Sequence, residues 1–237
     1  MKITVFTLFP EMVVSFCSMS LLGKGLKRDI WSLKVINIRD YSYDKHGRVD
    51  DSPFGGGKGM IIRADVLGRA LEDSALDNKT KIYYMSPRGK LLDQQMLSEM
   101  AKLDEIALVC GRYEGIDQRV IDEYGIEEIS IGDFVLMGGE LPALALIEGV
   151  VRYRNDLIEA ESIEEDSFGA ARANRYRNLL EYPLYTGPQS WKGRKVPAVL
   201  LSGNHREVEK WKFEQAKAIT RERRPDLYKK HLEEFPK

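Results

Sequence analysis

The sequence predicts an α/β fold: a parallel sheet covered by helices on both faces. Two observations carry that prediction. Short apolar runs alternate with helical patterns through the first 154 of the 237 residues, as expected of strand–helix units that build a parallel sheet. One of those runs, Ile106–Cys110 (IALVC), is apolar at every position, the pattern of a strand buried on both sides.

The elements follow in order. Ile3–Phe9 reads as a first strand, and Glu11–Leu22 as the helix after it. Leu33–Ile38 is a second strand. Ala64–Leu76 has helical spacing and leads to a strand at Ile82–Ser86. Asp93–Leu103 is a further helix. Ile106–Cys110 and Ile129–Leu136 are strands, with a helix at Asp117–Tyr124 between them and another at Pro142–Arg154 after them. Residues 155–190 break this pattern and read as a linker. A second, small, mainly helical domain follows from about Trp191, with a helix over Glu207–Arg223 that Pro225 ends and a short helix after it. The expected organisation is a catalytic domain over 1–160, a linker over 161–190 and a small domain over 191–237.

Composition narrows the class. No stretch of 18 apolar residues is present, so no membrane span is expected. The apolar N-terminus is interrupted by Pro10 and Glu11 and lacks a small-residue cleavage site, which favours a strand over a signal peptide. Cys17 and Cys110 are far apart and form no CxxC, arguing against a disulfide framework or zinc site and for a cytoplasmic protein. The net charge of −1 hides an asymmetry: residues 167–237 hold 16 Lys and Arg against 8 Asp and Glu, over an acidic body. A basic third of this kind suits a polyanion partner or an oppositely charged protein surface.

The familiar nucleotide signatures are missing. The first strand runs into LFPEM and not GxGxxG, and Gly55–Met60 (GGGKGM) lacks the GK[ST] of a phosphate loop. Three other glycine-bearing loops stand out, each after an expected strand: Ser86-Pro87-Arg88-Gly89, Gly111-Arg112-Tyr113-Glu114-Gly115, and Ser130-Ile131-Gly132-Asp133-Phe134-Val135-Leu136 running into Met137-Gly138-Gly139. Glycine there permits a tight turn or a close approach of backbone to ligand. Three such loops on one sheet suggest one shared pocket, beyond the carboxyl ends of the strands.

These loops also carry a resemblance. Met85-SPRG, Cys110-GRYEGID, Ser130-IGDFVLMGGELPA and Glu164-EDSF, in this order, closely resemble the bacterial tRNA (guanine-N1)-methyltransferases of the SPOUT superfamily, which modify guanine 37 beside the anticodon. TLFPEM, DKHGRVDDSPFGGGKGM, SGNHREVEKWK and RRPDLY extend the similarity to nearly the whole chain. The resemblance implies a trefoil knot at the C-terminal end of the α/β domain, an exception to the rule against knotted chains. It implies a homodimer with active sites at the subunit interface, the anticodon stem-loop of tRNA as partner, and S-adenosylmethionine as methyl donor. It also links activity to magnesium, for which the sequence singles out no ligand. By the same resemblance the donor lies against Tyr84, Met85, Ser86, Pro87, Gly111, Tyr113, Ser130, Ile131, Gly132, Asp133, Phe134, Val135, Leu136, Gly138, Gly139 and Pro142, with Glu114 near its amino-acid or sulfonium end.

The acceptor explains the remaining residues. Guanine N1 is protonated at neutral pH, so methylation needs a base and a group to hold charge developing on O6. By match to EEDSF the base is Asp166, and by match to the arginine after GGELPALALIEGVV the oxyanion partner is Arg152. Arg48 and Asp50, with the GGGKGM loop, are expected to shape the guanine pocket. Taken without the resemblance, Asp166 is equally a helix N-cap before Ser167, Arg152 a helix-end cation and Glu114 a solvated loop carboxylate. Arg172, Arg175, Arg177, Lys192, Arg194 and Lys195 are candidate phosphate contacts. The chain departs from the family pattern in a longer stretch over 169–178 and in Gly187, where an arginine is more usual.

Overall fold

A computed structural model of the chain describes residues 1–154, 157, 168 and 175–235. The chain divides into two compact units, Met1–Glu159 and Ala160–Lys237.

The first unit is built on five parallel strands: β1 (Lys2–Thr7), β2 (Ser32–Asn37), β5 (Lys81–Leu91), β6 (Glu105–Val109) and β7 (Glu127–Ser130). Their order is β2-β1-β6-β5-β7, which puts β6 in the middle between β1 and β5. A two-residue antiparallel ladder, β3 (Asp50–Asp51) with β4 (Ile61–Ile62), brackets the glycine loop between them. Among the described residues the α-helices of this unit are α1 (Pro10–Cys17), α2 (Ser20–Lys27), α3 (Ala64–Asp73), α4 (Gln94–Met100), α5 (Gln118–Glu123) and α6 (Glu140–Val151).

Side-chain alternation along the strands sorts the core into two layers. Ile3 and Val5 of β1, Tyr83 and Met85 of β5, and Ile106 and Leu108 of β6 face one way, against Val13 and Cys17 of α1 and Ala143, Leu146, Ile147 and Val150 of α6. Phe6, Tyr84, Ala107 and Val109 face the other way, against Val66, Leu67 and Ala70 of α3 and Val120 and Ile121 of α5. The sheet is therefore covered on both sides, which is why its central strands carry no polar face.

Local chemistry sets the ends. Asp93 caps α4, its carboxylate accepting from the Met96 N–H at 2.8 Å, and Asp117 caps α5 through the Arg119 N–H at 2.9 Å. The helix expected over Glu11–Leu22 is two helices. The backbone is extended at Met19, and Ser20 takes a positive φ of 51°. The break brings the Ser18 carbonyl onto Gly23, where a Cβ would lie 2.0 Å from that oxygen. Apolar spacing continues through the break, so the sequence pattern gives no sign of it. The strand expected over Ile129–Leu136 ends at Ser130. There the Ser130 hydroxyl donates to the Gly132 carbonyl at 3.0 Å and accepts from the Gly132 N–H at 3.1 Å, turning the chain out of the sheet.

Among its described residues the second unit has a short hairpin, β8 (Ser190–Trp191) with β9 (Arg194–Lys195), followed by the α-helices α7 (His205–Arg223) and α8 (Pro225–Glu234). Asn204 caps α7, and Pro225 opens α8, a position whose N–H would have no intrahelical acceptor in any case. Its core joins Tyr176 edge-on to Phe213 with ring centroids 5.3 Å apart, and the buried His231, whose Nδ1 meets the Arg177 carbonyl at 2.8 Å. No helix among the described residues is long and apolar enough to cross a membrane.

Candidate active site

The three glycine-bearing loops leave the carboxyl ends of neighbouring strands β6, β5 and β7, so the sheet itself brings them together. The first interrupts β5. Met85 and Lys90 both pair with Ile129, and the four residues between them bulge out of the ladder. Two braces hold the bulge. The Ser86 hydroxyl accepts from the Arg88 N–H at 3.2 Å, and the Arg88 guanidinium reaches Glu128 at 2.9 Å and Gln118 at 3.2 Å. Gly89 lies so near β7 that a Cβ would sit 2.3 Å from the Ile129 nitrogen.

The second loop follows β6. Gly111 packs under the Tyr84 ring, 2.8 Å from where a Cβ would stand. Burial, with Glu128 nearby, holds the Tyr84 hydroxyl above its ordinary pKa. Tyr113, half-exposed, has a left-handed backbone at φ 58°, a conformation that costs a non-glycine residue of order 1–3 kcal/mol and clusters at functional sites. The Glu114 N–H donates to the Met60 carbonyl at 3.0 Å, and the Glu114 side chain packs on Gly59. The GGGKGM loop is thus tied to this wall by its last two residues.

The third loop follows β7. Residues Phe134–Met137 stand exposed, then Gly138 bridges to Arg112 and the Gly139 N–H donates to the Gly111 carbonyl at 2.9 Å. The chain enters α6 directly from that contact.

These walls enclose a cleft of about 180 Å³. Tyr84, Met85, Ser86, Pro87, Gly111, Tyr113, Glu114, Ser130, Ile131, Gly132, Phe134, Val135, Leu136, Gly138, Gly139 and Pro142, singled out from the sequence, all line it. Asp133 does not; it is exposed to solvent. Arg112, Gly115, Ile129 and Met137 line the cleft without having been singled out. Arg112 lies inside the GRYEG loop, where nothing local in the sequence separates a lining arginine from a solvated one. Of the two expected catalytic residues, Arg152 is the C-cap of α6. It lies roughly 20 Å from the Gly139 end of that helix at 1.5 Å per residue, so it and the cleft of its own chain are not brought together. Asp166 lies outside the described residues. Arg48 and Asp50 sit at and beside β3. Among the described residues, no three His, Cys, Asp or Glu side chains gather as a metal-ligand set.

Comparison with known proteins decides the family. The profile described as "tRNA (Guanine-1)-methyltransferase TrmD" matches residues 1–230. The chain belongs to this family. Proteins called tRNA (guanine-N(1)-)-methyltransferase are close relatives. That of Rickettsia akari (strain Hartford) is 47% identical over 233 residues, covering 95% of this chain and 97% of its own. That of Rhizobium etli is 45% identical over 228 residues, 95% and 94% respectively. That of Rickettsia prowazekii (strain Madrid E) is 45% identical over 231 residues, 97% and 98%. The family read from the sequence motifs is thereby shown, and the matched range spans both units.

Proposed function

We propose that the chain is a tRNA (guanine-N1)-methyltransferase that moves a methyl group from S-adenosylmethionine to N1 of guanine 37. The observation that carries this reading is the family match over residues 1–230. The cleft supports the choice of donor. Gly111, Gly138 and Gly139 leave no room for a Cβ against Tyr84, Arg112 and the Cys110 backbone, so the loops pack tightly enough to form one cleft wall. Glu114 supplies a negative charge on the lining, suited to a sulfonium or ammonium group.

In this reading Asp166 takes the N1 proton while Arg152 holds the charge that gathers on O6. The methyl carbon bonds to N1 as its bond to sulfur breaks, and the electron pair stays on sulfur as a neutral thioether. Losing an oxyanion donor of this kind typically costs about 2.7–4 kcal/mol. The distance between Arg152 and its own cleft supports a homodimer in which each chain lends Arg152 to its partner's site. The apolar residues Phe134, Val135, Met137 and Leu141 are exposed beside the cleft, which supports a covering surface there. The passage of Gly139 against the Cys110 backbone, 2.8 Å from a would-be Cβ, supports the threading that a trefoil knot requires. Lys192, Arg194 and Lys195 of the second unit are assigned to tRNA phosphates, which give affinity more than base choice; Arg175 and Arg177, named with them, pair with Glu209 and Glu234 at 2.6 Å, and Arg172 lies outside the described residues.

The test is methyl transfer from labelled S-adenosylmethionine to two unmodified tRNA transcripts, one with guanine and one with adenine at position 37. Label on the first alone, mapped to N1-methylguanine, is the expected result. Equal label on both would discard the target, and cofactor binding without label would discard the substrate. Asp166→Ala should abolish transfer and leave S-adenosylhomocysteine binding intact.

A further inference from the structure

Behind the cleft lies a buried charge that the reaction does not use. Glu140, the first residue of α6, is fully buried. Its Oε1 accepts from the Thr7 hydroxyl at 2.7 Å, and that hydroxyl accepts in turn from the Phe9 N–H at 2.9 Å. Its Oε2 lies 2.9 Å from Arg112 Nε. Neither of those two atoms has a hydrogen bond of good angle, so the link is a charge contact. The Arg112 guanidinium rests on the Phe9 ring, 4.2 Å from its centroid, closing the circuit.

The circuit joins the end of β1, the loop after β6 and the start of α6. It leaves no space at Gly138, where a Cβ would lie 2.3 Å from Arg112 Nε and 2.6 Å from Glu140 Oε2. Arg112, Gly138 and Gly139 line the cleft, and Gly138 bridges to Arg112 through the backbone. Position at a helix N-terminus makes an anionic Glu140 favourable, and the buried pair satisfies two charges that would each be costly alone.

We infer that Glu140 is a positioning residue for the methyl-donor site, acting through Arg112 to hold the Gly111 and Gly138–Gly139 walls at the spacing the donor needs. The inference rests on the donor reading above. Its chemistry is specific: if Glu140 is neutralised, Arg112 stays charged and largely desolvated, with a side chain 19% exposed, and has lost its counter-charge, so it pulls the loop toward water. Removing both charges relieves that conflict.

The experiment measures S-adenosylhomocysteine binding by calorimetry on wild-type chain, Glu140→Gln, Arg112→Met/Glu140→Gln and Glu140→Asp, with thermal melting of each. Glu140→Gln should bind about tenfold more weakly, the effect of one buried group left unsatisfied. The double variant should recover to within about threefold of wild type. Glu140→Asp keeps the charge and shortens the arm, so it should fall between; it also carries the test if the glutamine variant does not fold. Binding within twofold of wild type in both single variants would overturn the inference, as would a double variant no better than Glu140→Gln. A merely structural role would lower the melting temperature and leave affinity unmoved. Failure of the wild type to bind would instead remove the donor reading itself.

Discussion

Two alanine substitutions at the two ends of α6 should have opposite consequences. Gly139 precedes the helix with an ordinary φ of −82°, so alanine there meets no backbone strain. It meets a wall. The new Cβ would lie 2.8 Å from Cys110 Cα and 3.0 Å from the Gly111 nitrogen, both main-chain atoms just past the carboxyl end of the central strand β6. Neither can rotate away, so α6 or the β6 loop must move. Overpacking of this sort costs about 1–3 kcal/mol, or roughly 2–12 °C in melting temperature for a unit of this size. Gly149 lies inside the same helix, and a Cβ there meets only the tips of Leu97, 2.7 Å from Cδ1. A leucine end can swing aside, and alanine improves helix propensity by up to about 1 kcal/mol. The assay is thermal denaturation followed by circular dichroism, with S-adenosylhomocysteine titrated into each variant. Gly139→Ala should melt lower and bind weakly; Gly149→Ala should melt at or above wild type and bind normally. A Gly139→Ala protein no less stable than Gly149→Ala would refute the steric reasoning.

Two further outcomes follow from the packing. Burial pushes the Cys17 thiol up to about 11 and raises that of Cys110 well above its ordinary value. Both thiols should therefore resist Ellman's reagent at pH 8 until denaturant is added, and rapid reaction of either in native protein would contradict that. In the second unit, the buried Thr220 hydroxyl donates to the Ala216 carbonyl at 2.6 Å and accepts from the Leu180 N–H at 2.8 Å. Thr220→Val leaves that N–H without its partner and should cost about 1–3 kcal/mol, with faster hydrogen exchange at Leu180; unchanged exchange there would count against the bond.

Much of the architecture was legible because periodicity reports burial. β6 is apolar at four of its five positions and covered on both faces, so its sequence had one reading. The break at Ser18–Ser20 was not legible, since Val13, Cys17 and Leu22 keep facing the core across it. The early end of β7 was not legible either, because SIGDFVL scores as strand while the turn depends on one hydroxyl folding back onto Gly132. The strands β3 and β4 are two residues each and too short to show a period. In the cleft, motifs pointed to the lining, and Asp133 was carried along by adjacency although its neighbours face inward. The role of Glu140 was hidden for a different reason: its partners Thr7 and Arg112 are 133 and 28 positions away, and no local pattern records a contact at that range.

That separation also has a consequence in time. The Thr7 hydroxyl belongs to the first strand made, and its acceptor arrives 133 residues later. At a ribosomal pace of about 5–20 residues per second, roughly 7–27 seconds pass between the two. During that wait the β1–β2 pair exists without the neighbour that fills its inner edge, since β6 is synthesised only after β5. The nascent chain thus carries an open parallel edge from the completion of β2 at Asn37 until β6 ends at Val109, the kind of surface that chaperones bind and that aggregation exploits.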